Sequence, residues 1–164
     1  PAVAEAQTRP AGVPIERNLD ADERAAIALF RESQAAVAFI TTTEQRVDFW
    51  SRTVSEQATG SGSGFVWDDK GHIVTNYHVV EGADRITVTL ADGRTFRGTV
   101  VGSDPAIDVA LVHIPNVSDL PVAPLGNSDE LRAGEWVCAI GNPLGYVHSV
   151  TVGVVSFIGR KLDL

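Results

Sequence analysis

The chain has 164 residues, 44% hydrophobic and 21% charged, which suits a soluble globular protein of one to one and a half domains. Its net charge of −8 argues against nucleic-acid or anionic-membrane binding, since both need basic patches. No apolar run approaches the roughly 18 residues of a transmembrane helix. A single cysteine, Cys138, rules out an internal disulfide and a CxxC metal or redox site. It lies in WVCAI and reads as a small buried hydrophobe.

Residues 1–19 are rich in Ala and Pro and lack periodicity. They read as a flexible leader, the stub left when a signal or anchor is removed. LDADERAAIALFRES follows, with Asp20 as N-cap and Glu23 three residues later, the pattern of a capping box. Ile27 and Phe30 share a face, and a short helix is expected over about residues 21 to 31. QAAVAFITTT (34–43) is β-prone. EQRVDFWSRTVSEQATGSG is polar apart from Phe49 and Trp50 and reads as a long loop or an open hairpin.

Short strand candidates then alternate with turns. SGFVW (63–67) and HIVTN (72–76) flank the hairpin turn DDKG. RITVTL (85–90) places Ile86, Val88 and Leu90 on one face, and ADG turns it into TFRGTVVG (95–102). IDVALVHI (107–114) ends at Pro115. EWVCAI (135–140) and SVTVGVVSFI (149–158) repeat the pattern beyond the proline-rich stretch PNVSDLPVAP. Many short strands with little helical periodicity predict an all-β, antiparallel barrel or sandwich. The proline-rich stretch would join two barrels, the second of them cut short.

Two places can carry chemistry. TNYHVV puts His78 directly after a strand, and GSDPAIDVALV contains Asp104 and Asp108. The distance from His78 to Asp108 leaves room for two or three strands, so a barrel can bring the two together. An aspartate that accepts from one imidazole nitrogen fixes the tautomer, and the other nitrogen then takes a proton from a nucleophile. On spacing alone, a solvated histidine and a turn aspartate are the favoured reading.

The run GSGSGFVWDDKGHIVTNYHVVEGADRITVTLADGRTFRGTVVGSDPAIDVALVHI, continued by LGNSDELRAGEWVCAIGNPLGYVHSVTVGVVSFIGR, resembles trypsin-like serine proteases of the HtrA/Deg (DegP-like) family over roughly residues 24 to 160. The resemblance implies a chymotrypsin/trypsin-like Greek-key barrel preceded by a short N-terminal helix, with a second barrel only partly present. Its divisions would be the leader (1–19), the helix and first barrel (20–118), and a linker with the first strands of the second barrel (119–164). His78 then matches the general base of the TNxHV motif, and Asp108 the carboxylate that orients it. Asp104, before Pro105, reads as a turn residue.

The family's nucleophile lies in a GNSGG motif that these residues lack. Ser128, in GNSDEL, lacks the two following glycines, and Ser61 and Ser63 in GSGSG read as strand-opening and turn residues. The nucleophilic serine is therefore expected outside this chain, which alone would be inactive. Ending at KLDL would place the terminus in the family's activation loop. A nicked or shortened protease would then have the remainder of its own domain as a partner.

The resemblance further implies unfolded or damaged polypeptides as substrates, a homotrimer formed through N-terminal segments, an exported, periplasmic or envelope location, and no cofactor. Phe49 and Trp50 fit either packing or a subunit contact, and Trp67 and Trp136 read as core or inter-barrel packing. His72, His113 and His148 share no ligand spacing with His78, so no metal site is expected. AIGNPLG lacks the GK[ST] ending of a phosphate-binding loop. The alternative to an endopeptidase is a noncatalytic, chaperone-like or binding β-barrel.

Overall fold

Asp20 and Glu23 start the first helix as the sequence predicts. The Glu23 N–H donates to Asp20 Oδ1 at 2.8 Å, and the Asp20 N–H donates back to Glu23 Oε2 at 3.0 Å. These bonds satisfy backbone donors that the first turn would otherwise leave unpaired. The helix, α1, runs Ala21–Ser33, two residues beyond the expected end. The computed structural model describes residues 18–48, 53–141 and 149–159. The leader up to residue 17, Phe49, Trp50, His148, most of the AIGNPLG turn and the GRKLDL terminus lie outside these, apart from Gly159.

Six strands close into an antiparallel barrel: β1 (Val37–Asp48), β2 (Thr53–Val66), β3 (His72–Thr75), β4 (Arg85–Thr89), β5 (Thr95–Asp104) and β6 (Val109–His113). Around the barrel the order is β1-β2-β3-β6-β5-β4, with β4 returning to β1. Closure removes the exposed edges that an open sheet would present. A four-residue helix, α2 (Tyr77–Val80), follows β3. β7 (Trp136–Gly141) and β8 (Ser149–Val154) form a separate two-stranded sheet. α1 lies against it, with Leu29 near Trp136 and Cys138, and Phe30 near Val150 and Val152.

The barrel interior follows from strand alternation. Ile86, Val88 and Leu90 all point inward, as their spacing predicts. They meet Ile40, Val66, Ile73, Val112 and Ile114, each with 0% exposure. Burial of a Val or Ile side chain stabilises by roughly 1.5–3 kcal/mol, so this set anchors the fold. Val79 and Val80 of α2 join the same cluster. That ties the short helix to the core.

Three readings change. Of the two readings of the segment after residue 43, the loop fails and the hairpin holds: β1 and β2 pair antiparallel from Val37↔Phe65 out to Asp48↔Thr53. Ser61 and Ser63 therefore sit within β2 rather than at a turn. The glycines around them misled the reading, because Gly62 serves close approach here. A Cβ on Gly62 would lie 2.5 Å from Val79 Cγ2 and 2.9 Å from Cγ1. Second, Trp67 and Trp136 are 45% and 65% exposed, which removes the core reading and leaves that of inter-barrel packing. Trp67 stands at the rim beyond β2, tilted against Phe65, and Trp136 lies at the start of β7 in the two-stranded β7–β8 sheet. Third, Cys138 is only half-buried, beside Trp136 and Leu29 of α1.

Gly62→Ala is expected to push the stiff, β-branched Val79 off the barrel and destabilise the protein by about 1–3 kcal/mol. Urea unfolding checks this. A stability equal to wild type would mean that α2 does not rest on β2 as described.

Candidate active site

β3 and β6 are antiparallel neighbours, and Thr75 pairs with Ala110. The residues just after β3 and just before β6 must therefore meet, although they are distant in sequence. His78 and Asp108 occupy those two positions.

On the β3 side, the buried Thr75 donates through Oγ1 to the Ser63 carbonyl at 2.9 Å. Asn76 is extended and opens α2. Val79 and Val80 turn into the core, and His78 faces out with its side chain 68% exposed. On the β6 side, Asp104 ends β5 and accepts from the Ala106 N–H at 3.0 Å. It caps a 3₁₀ turn, Pro105–Ile107, and so acts as the turn residue expected before a proline. The turn delivers Asp108 in the left-handed region, φ 53° and ψ 46°. Asp adopts this conformation more readily than most residues, though it remains costly for any side chain.

The carboxylate of Asp108 grips His78 twice. Oδ2 lies 2.7 Å from His78 Nδ1, and Oδ1 accepts the His78 backbone N–H at 2.9 Å. An ionised carboxylate only accepts, so Nδ1 carries the proton and Nε2 is left as a base. Nε2 has no hydrogen-bond partner among the described residues. Bonds from the His78 N–H and then from its ring hold Asp108 below the ordinary 3.8, outweighing the opposing effect of burial. The pair can thus take a proton at Nε2 from an incoming hydroxyl while the carboxylate steadies the imidazolium.

A second pair warns against reading distance alone. His72 Nδ1 lies 2.7 Å from Asp68 Oδ2, the same separation. Asp68 is four residues away in the β2–β3 turn and also accepts from the Lys70 and His72 N–H groups. Its side chain and that of His72 are 28% and 29% exposed, and the His72 ring tilts against His113, 5.2 Å away. This pair staples a turn. His78 differs in presenting an open Nε2 to solvent.

The serines fall elsewhere. Ser128 opens an exposed 3₁₀ turn that Asn127 caps, and neither it nor Ser61 or Ser63 bonds to His78. Among the described residues no three His, Cys, Asp or Glu side chains converge as metal ligands. No described helix is long and apolar enough to cross a membrane. Sequence reading missed α2 and the role of Asn76, whose side chain reaches Asp108; the only signal was an Asn two residues before the histidine.

The family described as "Trypsin-like peptidase domain" matches residues 62–163. The chain is 46% identical to Protease Do-like 1, chloroplastic, of Arabidopsis thaliana over 149 residues, 90% of this chain and 34% of that protein. It belongs to the HtrA/Deg family of trypsin-like peptidases. A probable periplasmic serine endoprotease, DegP-like, of Halomonas elongata is 48% identical over 108 residues, 66% of this chain and 23% of that protein. The crystal structure of Deg5 superposes with a TM-score of 0.74 at 36% identity, covering 90% of this chain and 70% of that one. This HtrA/Deg chain thus spans about a third or less of the length of these curated relatives. The barrel and preceding helix expected from the sequence are those of HtrA protease domains.

Proposed function

We propose that this chain supplies the general base, His78, and its orienting carboxylate, Asp108, to a serine endopeptidase that hydrolyses unfolded or damaged proteins. The observation that carries this reading is the doubly held imidazole with an outward Nε2 that no described residue engages. In the reaction, a serine hydroxyl attacks the peptide carbonyl as Nε2 of His78 removes its proton. The same nitrogen returns the proton to the leaving amine, and a water then releases the acyl group by the same relay. Asp108 holds the ring throughout and stays ionised. The side chains described require no metal or organic cofactor for this chemistry.

The serine, its oxyanion donors and the specificity pocket are assigned to the rest of the protease domain, outside these 164 residues. The two-stranded β7–β8 sheet supports that assignment, since Trp136, Val152 and Val154 keep 65%, 40% and 53% exposure on it even with α1 alongside. Residues 20–118 would then form the first barrel unit, and 119–164 the linker and opening of a second. The names of the relatives support an exported or organellar location and proteolysis of polypeptides; a homotrimer completes the proposal.

Incubation of the intact protein with casein tests the reading. Progressive cleavage is expected, whereas the isolated 164-residue chain gives none. Binding of casein by the intact protein without cleavage would instead establish the noncatalytic, chaperone-like barrel.

A further inference from the structure

Asn76 stands where a residue normally caps its own helix. Asp20, Asp104 and Asn127 hold the same position before their own helical turns, and each accepts a backbone N–H from the turn it precedes. The Asn76 side chain makes no such bond to α2. It reaches across to Asp108 instead. Its Nδ2 donates to the Asp108 backbone carbonyl at 3.2 Å and to Oδ2 at 3.1 Å.

Those two acceptors belong to one residue in a left-handed conformation that its own backbone disfavours. A primary amide carries two protons, one for each acceptor. Bridging the main-chain oxygen and the carboxylate fixes the carboxylate relative to its own backbone. Asp108 must hold Oδ1 on the His78 N–H and Oδ2 on Nδ1 at once, so rotation of the carboxylate breaks one grip or the other. The remaining bonds to Asp108 leave this rotation free. The Tyr77 N–H donates to the Asp108 carbonyl, and the Asp108 N–H donates to Pro105, both through backbone. Among the described residues, Asn76 is the one side chain besides His78 that touches the carboxylate.

We infer that Asn76 is a positioning residue for the proposed hydrolysis: its amide fork locks the Asp108 carboxylate in the rotamer that orients His78. This rests on the assignment of His78 and Asp108 above. It gives Asn76 a role in turnover rather than in substrate binding or in starting α2.

The test compares Asn76→Ala and Asn76→Asp with wild type and His78→Ala in the intact protein, using a chromogenic peptide and thermal unfolding. Asn76→Ala is expected to lower kcat about ten- to a hundred-fold with KM within about twofold, since the loss falls on the transition state. Asn76→Asp keeps the shape but replaces the donor by an acceptor facing Asp108. It is expected to be at least as impaired as the alanine variant. Unfolding temperatures should stay close to wild type, because the bonds are solvent-exposed. Wild-type kcat in both Asn76 variants, with His78→Ala inactive, would overturn the role of Asn76 alone. So would a loss confined to KM, or an aspartate variant as active as wild type. Full activity of His78→Ala would overturn the underlying assignment, and this inference with it.

Discussion

His78→Ala in the intact protein is expected to lower kcat on casein by about 10⁵- to 10⁶-fold, with KM and unfolding temperature close to wild type. Removal of the base from a serine–histidine–aspartate set costs about as much as removal of the whole set, because the members act as a unit. What remains is the modest acceleration from binding and oxyanion stabilisation. The fold is expected to survive because His78 contributes little to it. Its side chain is 68% exposed, and α2 is held down by its neighbours Val79 and Val80. Retention of more than about a tenth of wild-type turnover would remove His78 from the role of base.

Asp108→Asn is expected to cost about 10⁴-fold in kcat, as for the equivalent change in other proteases of this mechanism. The physical cause is the tautomer. A carboxylate accepts the Nδ1 proton and leaves Nε2 basic, whereas an amide can donate to Nδ1 and leave the proton on Nε2. The same substitution carries a pH signature. The native carboxyl group of Asp108 is held below its ordinary 3.8, first by the His78 N–H and then by its ring. A depressed native value stabilises the fold above the unfolded value, and that contribution disappears as pH falls through the depressed one. Wild type should therefore lose its advantage over Asp108→Asn only in acid below the usual carboxylate range. Urea midpoints for the two proteins, taken at neutral pH and then at successively lower pH, check this. A gap that stays constant into strong acid would mean that Asp108 is not held ionised by His78. At 44% exposure, solvent screening keeps the neutral-pH gap small, so the kinetic effect is the larger of the two.

The strands that build the barrel core were legible because burial on one face leaves a period-two trace, as in Ile86, Val88 and Leu90. The β1–β2 hairpin was legible only as one of two alternatives. The sequence from Glu44 to Gly60 is largely polar and carries no sustained period-two apolar trace, and Gly-rich GSGSG reads as a turn when taken alone. α2 is a single turn ending in two valines and leaves no helical periodicity. Trp67 and Trp136 show the converse problem, since an aromatic in a strand signals an interface without saying which face is covered.

His78 and Asp108 could be singled out only through the motifs around them. Neither residue type nor spacing separates them from His72 and Asp68, which reach the same 2.7 Å. The separation is physical and three-dimensional: one imidazole rests against His113, the other leaves a nitrogen open. Asn76 was invisible for a related reason. A residue of its type before a helix reads as a cap, and only the topology that joins β3 to β6 brings Asp108 within its reach.

The most direct measurement is an intact-mass and peptide-mapping analysis of the intact protein after reaction with a fluorophosphonate, which traps activated serines. A single adduct on a serine outside these 164 residues, lost in His78→Ala, is the predicted result. No adduct, an adduct on Ser61, Ser63 or Ser128, or undiminished labelling of His78→Ala would contradict the assignment of His78 as the base of a serine protease.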